Sequence, residues 1–319
     1  MLDIEDHLGP GYTAREIPLS GNLSATLVRH RAATNTRGAV LYLHGWIDYF
    51  FQTHLAEHFA ALGYDFYALD LRHYGRSIRP EAMPYYTLDL REYYEELDAA
   101  VALIRGDGHD GLVVMGHSTG GLLAPLWLAD RRDAVRPQAL ILNSPWLELQ
   151  ERWLMRTAGT WLIRGAGRGL PQVVLPHTVS PAYGESLHVD YRGEWNYNLA
   201  WKPVKGAPVH MGWLAAIRKA QARVHRGLRL SLPILMLHSD ASRLGLTKWV
   251  PEAMNTDTVL DVQQMMQWAP ALGSDVTTVM VAGALHDVFL SAPPVRGRAF
   301  ARLDDWLLGR VEYGDADRP

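Results

Sequence analysis

Cysteine is absent from all 319 residues, which excludes disulfides, thiolate metal ligands and a cysteine nucleophile. A strong charge of one sign is absent as well. Lys and Arg number 31 against 34 Asp and Glu, for a formal net charge of −3, and no long basic run occurs. Nothing in that balance favours nucleic acid or an anionic membrane surface as a partner. No apolar stretch approaches the ~20 residues that span a bilayer. The acidic start, Met1 to His7, lacks the basic flank and apolar centre of a signal peptide. The expectation is a cytoplasmic protein without an integral membrane segment. His177, His188 and His210 are scattered without ligand spacing, so no metal or cofactor is expected, and nothing specifies an oligomeric state.

Apolar residues make up 48% and charged residues 20%, enough for a substantial core in one large domain or a domain with an insertion. Residues 17–31 alternate like antiparallel strands around a Ser20-Gly21-Asn22 turn. Short apolar runs follow at 39–43, 64–69, 112–115 and 139–143. Between them lie helical patterns, at 49–62 (stopped by Gly63), at 90–105 and from Ser118 to about Arg131. Strands and helices of these lengths in alternation predict a mostly parallel sheet covered on both faces. After Ser144-Pro145 the rhythm breaks, and it returns only at 233–238, 276–281 and a last amphipathic helix at 294–308. The expected organisation is a core in two parts, 1–145 and 231–310, a cap inserted at 146–230, and a polar tail at 311–319. The insertion holds helical pieces (147–164, 213–227) and an irregular aromatic middle. Its Trp146, Trp153, Leu154 and Trp161 suit packing as well as binding; so do Tyr183, Tyr191, Trp195, Tyr197 and Trp201.

The most informative stretch is Leu112 to Gly121, where four apolar residues run into Gly116-His117-Ser118-Thr119-Gly120 and then into a small-residue helix. This is G-x-S-x-G at a strand-to-helix junction, where a sharp turn holds a serine hydroxyl clear of the sheet edge. A Cβ at Gly116 or Gly120 would collide with neighbouring backbone in so tight a turn. Ser118 is therefore the candidate nucleophile. A serine hydroxyl needs a base to take its proton and an acid to orient that base. In this architecture they follow in the order Ser, Asp/Glu, His. His286 sits in a turn just after the 276–281 strand and is the candidate base. For the acid, Asp240, Asp257 and Asp261 all lie in suitable loops, and spacing does not choose among them.

His44-Gly45, Asp70-x-Arg72-x-x-Gly75-x-Ser77, Gly116-His117-Ser118-Thr119-Gly120-Gly121 and the loop at His286 together resemble the α/β-hydrolase superfamily. The nearest branch is that of monoacylglycerol lipases and lysophospholipases, grouped with the serine aminopeptidases. The resemblance implies an α/β-hydrolase fold and a serine hydrolase that cleaves a small-molecule ester of a hydrophobic acyl group. It places the acid in an Asp-x-x-x-Asp segment. Direct spacing would put that acid at Ser242; a local insertion, 243–256, brings Asp257 into the place, with Asp261 second. It also implies oxyanion donors from the amides of Thr119 and Trp46, with the Trp46 side chain walling the acyl site. Asp70 and Arg72 become a buried ion pair. His73 departs from the family pattern, standing where a glycine is common. His44 is expected to hold its loop by packing and hydrogen bonding, and Tyr85, Tyr86, Tyr93 and Tyr94 to pack. The same triad serves peptidases, thioesterases and acyltransferases, and a non-catalytic ligand-binding protein on this fold is the alternative outside enzymes.

Overall fold

A computed structural model of the chain describes residues 3–32, 36–149, 169–175 and 180–312. Trp153, Leu154, Trp161, His177, most of the 147–164 helical expectation and most of the 311–319 tail lie outside them.

Among the described residues nine strands form one sheet in the order β1-β2-β3-β5-β4-β6-β7-β8-β9. They are β1 (Ile4–Glu5), β2 (Tyr12–Leu19), β3 (Leu23–His30), β4 (Gly38–Leu43), β5 (Tyr64–Asp70), β6 (Leu112–His117), β7 (Ala139–Asn143), β8 (Ile234–Ser239) and β9 (Val276–Val281). The first three strands and the β3–β5 pair are antiparallel. From β5 across to β9 every pair is parallel. The expected turn at Ser20–Asn22 joins β2 to β3, with Gly21 in the left-handed region.

Side-chain alternation divides the core into two layers. Leu41, Leu43, Val114, Leu140, Leu142, Ile234 and Met236 pack on one face. Their chain neighbours Val40, Tyr42, Val113, Met115, Ile141, Leu235 and Leu237 pack on the other. With both faces buried, these strands read as unbroken apolar runs. Helices α2 (Tyr94–Gly106) and α3 (Thr119–Asp130) cover the first face, with α5 (Met211–His225) beside them. Helices α1 (Thr53–Ala61) and α7 (Pro293–Leu307) cover the second. Two short helices are also present among the described residues, α4 (Ala182–Leu187) and α6 (Val262–Trp268).

Two local expectations change. The helix expected from Tyr49 begins at Thr53. Tyr49 and Phe51 turn towards residues beyond β7, while Phe50 enters the core of the second face. The apolar spacing was that of a folded loop. Asp70 and Arg72 do not pair with each other. Asp70 accepts from Arg76 Nη1 at 2.7 Å and from the Phe50 amide at 3.0 Å. Arg72 pairs instead with Glu96 of α2, Nη2 to Oε2 at 2.6 Å. The two side chains bond to opposite layers of the sheet, and in the turn that follows His73 takes φ +67°, the left-handed conformation for which glycine is the usual residue.

Chain direction across the sheet reverses between β4 and β6, because β5 lies on one side of β4 and β6 on the other. The crevice beyond the carboxyl ends of such strands is where ligands bind in open α/β sheets. The loops after β4, β6, β7, β8 and β9 converge there.

Candidate active site

Strand β6 runs directly into Ser118, whose φ of +52° and ψ of −112° are sparsely populated for any residue with a Cβ and mark stored strain. Three backbone bonds hold it there. Its amide donates to the Asn143 carbonyl at 3.0 Å, and its carbonyl accepts from the Leu122 and Trp146 amides at 3.2 and 3.0 Å. The glycines have the steric role expected of them. A Cβ on Gly116 would stand 2.5 Å from the Gly120 carbonyl oxygen, and one on Gly120 would stand 2.5 Å from that of His44. Gly120→Ala is expected to cost about 1–3 kcal/mol, as overpacking does, and to be read in the denaturant midpoint. Helix α3 starts at Thr119, so the Thr119 amide lies in its first turn, where backbone N–H groups have no helical partner.

On the loop after β4, His44 Nδ1 donates to the Gly45 carbonyl at 2.7 Å and Nε2 accepts from the Leu71 amide at 3.1 Å. Both ring nitrogens are used, in keeping with a packed residue that holds the loop. Trp46 does not simply wall a pocket. Its indole stacks on Trp213 of α5 at 4.0 Å and donates to the Tyr85 carbonyl at 3.0 Å. Trp146 packs beside Trp213 at 5.6 Å. Tyr85 and Tyr93 pack edge-on against Tyr74.

His286, in the loop after β9, is 2% exposed. Its Nδ1 lies 2.8 Å from Asp257 Oδ2. Asp257 is fully buried, and its Oδ1 accepts from the amides of Val259 and Leu260, each at 2.8 Å. A carboxylate cannot donate, so Nδ1 carries a proton and donates it to Asp257. Nε2 is buried and makes no hydrogen bond among the described residues. The Ser118 hydroxyl does not bond to it in this state; such bonds often tighten only once substrate is bound. The other two acids are occupied elsewhere. Asp240 Oδ1 accepts from the Gly283 amide at 2.8 Å, and Asp261 caps α6 through the Gln263 amide. Residues 243–256 leave and return at a bridge that sets Ser242 beside Asp257, so the carboxylate stands next to the position that direct spacing assigned to a serine.

Several site neighbours carry no sequence signal. The His117 ring lies 4.9 Å from that of His286 and donates through Nδ1 to the Asn143 carbonyl at 3.1 Å. Asp287 is buried and takes 2.6 Å and 3.3 Å bonds from the Asn143 and Gln52 amides. Tyr183 packs edge-on against His286 at 5.5 Å. Of the aromatic residues beyond β7, Tyr197, Tyr183, Trp195 and Trp201 bury themselves against Tyr49, Phe51 and Leu290, whereas Tyr191 is exposed. His188 is bonded to the Tyr197 carbonyl and the Asp190 amide. Among the described residues, no cluster of His, Asp or Glu could hold a metal ion, and no helix is long and apolar enough to cross a membrane.

Burial holds His44 and His117 below the ordinary histidine range, and it does the same to His238 beside the Asp257 loop. These rings stay neutral in the fold while the unfolded chain takes up protons. Their contribution is therefore complete above the unfolded pKa of about 6.5 and shrinks as pH falls below it. Each is expected to remove up to about 1.4 kcal/mol per pH unit, visible as a lower urea midpoint at pH 5.5 than at pH 7.5. An unchanged midpoint would show that the rings protonate in the folded protein.

The sequence model of the family described as "Serine aminopeptidase, S33" matches residues 34–292. A monoacylglycerol lipase of Mycolicibacterium smegmatis is 27% identical over 220 residues, 66% of this chain and 72% of that protein. Among solved structures, a soluble variant of the Saccharomyces cerevisiae monoglyceride lipase, in complex with a substrate analog, superposes with a TM-score of 0.70 at 17% identity, over 93% of this chain and 95% of that one. The Paleococcus ferrophilus monoacylglycerol lipase gives 0.65 at 19% identity, over 89% and 99%. At those identities the likeness to solved structures is one of fold. The family match covers most of the chain, and the residues at the strand exits fit it: the chain belongs to the serine aminopeptidase S33 family and is a serine hydrolase with the α/β-hydrolase fold.

Proposed function

We propose that the protein hydrolyses carboxylic esters of hydrophobic acyl groups, with monoacylglycerols as the first substrates to try, through Ser118, His286 and Asp257. The observation that carries the reading is the buried Asp257–His286 hydrogen bond of 2.8 Å, which occupies Nδ1, while Nε2, at the exit of β9, makes no hydrogen bond among the described residues. In the proposed cycle Nε2 takes the Ser118 proton as Oγ attacks the ester carbonyl. The resulting oxyanion is held by the Thr119 and Trp46 amides. Collapse expels the alcohol, which receives the proton from His286, and leaves an acyl-enzyme. Water, deprotonated by the same ring, then releases the acid. The relative from M. smegmatis is described as a monoacylglycerol lipase, which favours an ester over a peptide bond. The reading includes a cytoplasmic location and needs no cofactor.

The test is a substrate panel: short and long p-nitrophenyl esters, a monoacylglycerol, an acyl thioester and aminoacyl amides. Turnover of the esters at rates well above those of the amides is expected. Faster cleavage of the amides would replace the reading with peptidase activity. A histidine base further requires the rate to fall at acid pH, and a rate flat down to pH 4 would remove His286 from that role.

A further inference from the structure

Asp48 and Lys202 form an ion pair in a place where an ion pair is costly. Lys202 Nζ lies 2.6 Å from Asp48 Oδ1, and the two side chains are 9% and 2% exposed. Burying two charges returns little net stability, so the arrangement calls for another reason. Asp48 belongs to the loop after β4, two residues beyond Trp46; Lys202 comes from the segment between β7 and β8, 154 residues away. Burial acts to raise the Asp48 carboxyl, and the Lys202 ammonium together with the His117 and His44 rings offsets this, leaving it below the usual carboxylate range.

Two further observations put the pair at the chemistry. Ser118 Cβ, His117 Cδ2 and Asp48 Oδ2 all approach the point where a Cβ of Gly45 would stand, at 3.1, 3.4 and 3.7 Å. The Asp48 carboxylate and the Ser118 Cβ thus share one close neighbour, Gly45, which carries no side chain. On its other side the ammonium lies over the rings of Phe51, Tyr183 and Tyr197 at 5.7, 5.7 and 5.9 Å, near enough for cation–π attraction. Tyr183 is the ring that also packs against His286.

Between Trp46 and Asp48, Ile47 has φ +55°. A β-branched residue is a genuine outlier there and persists only where its surroundings hold it. On one side Trp46 is anchored by Trp213 and the Tyr85 carbonyl. On the other side the anchor is Lys202.

We propose that Lys202 is a positioning residue: by gripping Asp48 it keeps the strained 46–48 loop in the conformation that aims the Trp46 amide at the forming oxyanion. This rests on the ester-hydrolase reading above. A displacement of about 1 Å in a catalytic donor can cost about 10²-fold in rate, and that is the size of effect expected.

The experiment compares the full-length wild type, Lys202→Met and the double variant Asp48→Asn/Lys202→Met. It reads kcat and KM on one p-nitrophenyl ester, thermal midpoint, and fluorophosphonate labelling of Ser118. Lys202→Met is expected to lower kcat about 100-fold with KM little changed, and to lower the midpoint because Asp48 loses its counter-charge. The double variant removes the stranded charge and is expected to regain the midpoint while kcat stays low. Recovery of both, or a wild-type kcat in Lys202→Met, overturns the positioning role. If Lys202→Met does not fold, the double variant decides alone. A wild type that is neither labelled nor active on the ester panel overturns the hydrolase reading itself, and a labelled, active wild type with unaffected variants overturns only the part given to Lys202.

Discussion

Ser118→Ala is expected to lower ester turnover by about 10⁶-fold, the order seen when the nucleophile of a serine hydrolase is removed, and to abolish fluorophosphonate labelling. The substitution suits the purpose because it removes one oxygen and little else. The Cβ that meets Gly45 stays. So do the three backbone bonds that fix residue 118 and the backbone conformation at φ +52°. The thermal midpoint should therefore move little, and loss of activity can be read as loss of the hydroxyl. Labelling of the alanine variant equal to that of the wild type would show that another residue is the nucleophile.

The second large effect is expected from Asp257→Asn, about 10⁴-fold in kcat. The direction follows from what each carboxylate oxygen does. Oδ1 accepts two backbone N–H groups, from Val259 and Leu260. An asparagine must keep its carbonyl oxygen there, because its NH₂ would face two donors. The NH₂ is then turned towards His286 Nδ1, which can pair with it only by giving up its proton. The ring shifts to the tautomer that carries hydrogen on Nε2 and can no longer accept from Ser118. Asp240→Asn and Asp261→Asn are the controls. Each of these aspartates accepts backbone amides, from Gly283 and Gln263, which an asparagine oxygen also does, so kcat should stay near wild type. If Asp240→Asn were the damaging change and Asp257→Asn harmless, the acid would have to be reassigned.

The parts legible in the sequence are those whose causes lie within a few residues of one another. The run into Gly116-His117-Ser118-Thr119-Gly120 marks a strand, a turn and a helix, and β6, Ser118 and α3 follow in that order. The turn at Ser20–Asn22 and the apolar strand runs read directly for the same reason. Tyr49 to Gln52 misled because apolar spacing does not distinguish a helix from a loop whose rings are buried on two sides. Asp70 and Arg72 misled because proximity in sequence does not say to which face of the sheet a turn sends each side chain.

By itself, the sequence determined the family, the sheet's strand runs and the location of the strained serine, since sterics and side-chain alternation act over a few bonds. The family resemblance pointed to Asp257 as the carboxylate that reaches His286, but which cation faces Asp48 and which rings enclose Lys202 were decided only in three dimensions. Each of those pairings closes a long loop, and a buried charge or lone pair takes whatever partner the packed strands bring to it.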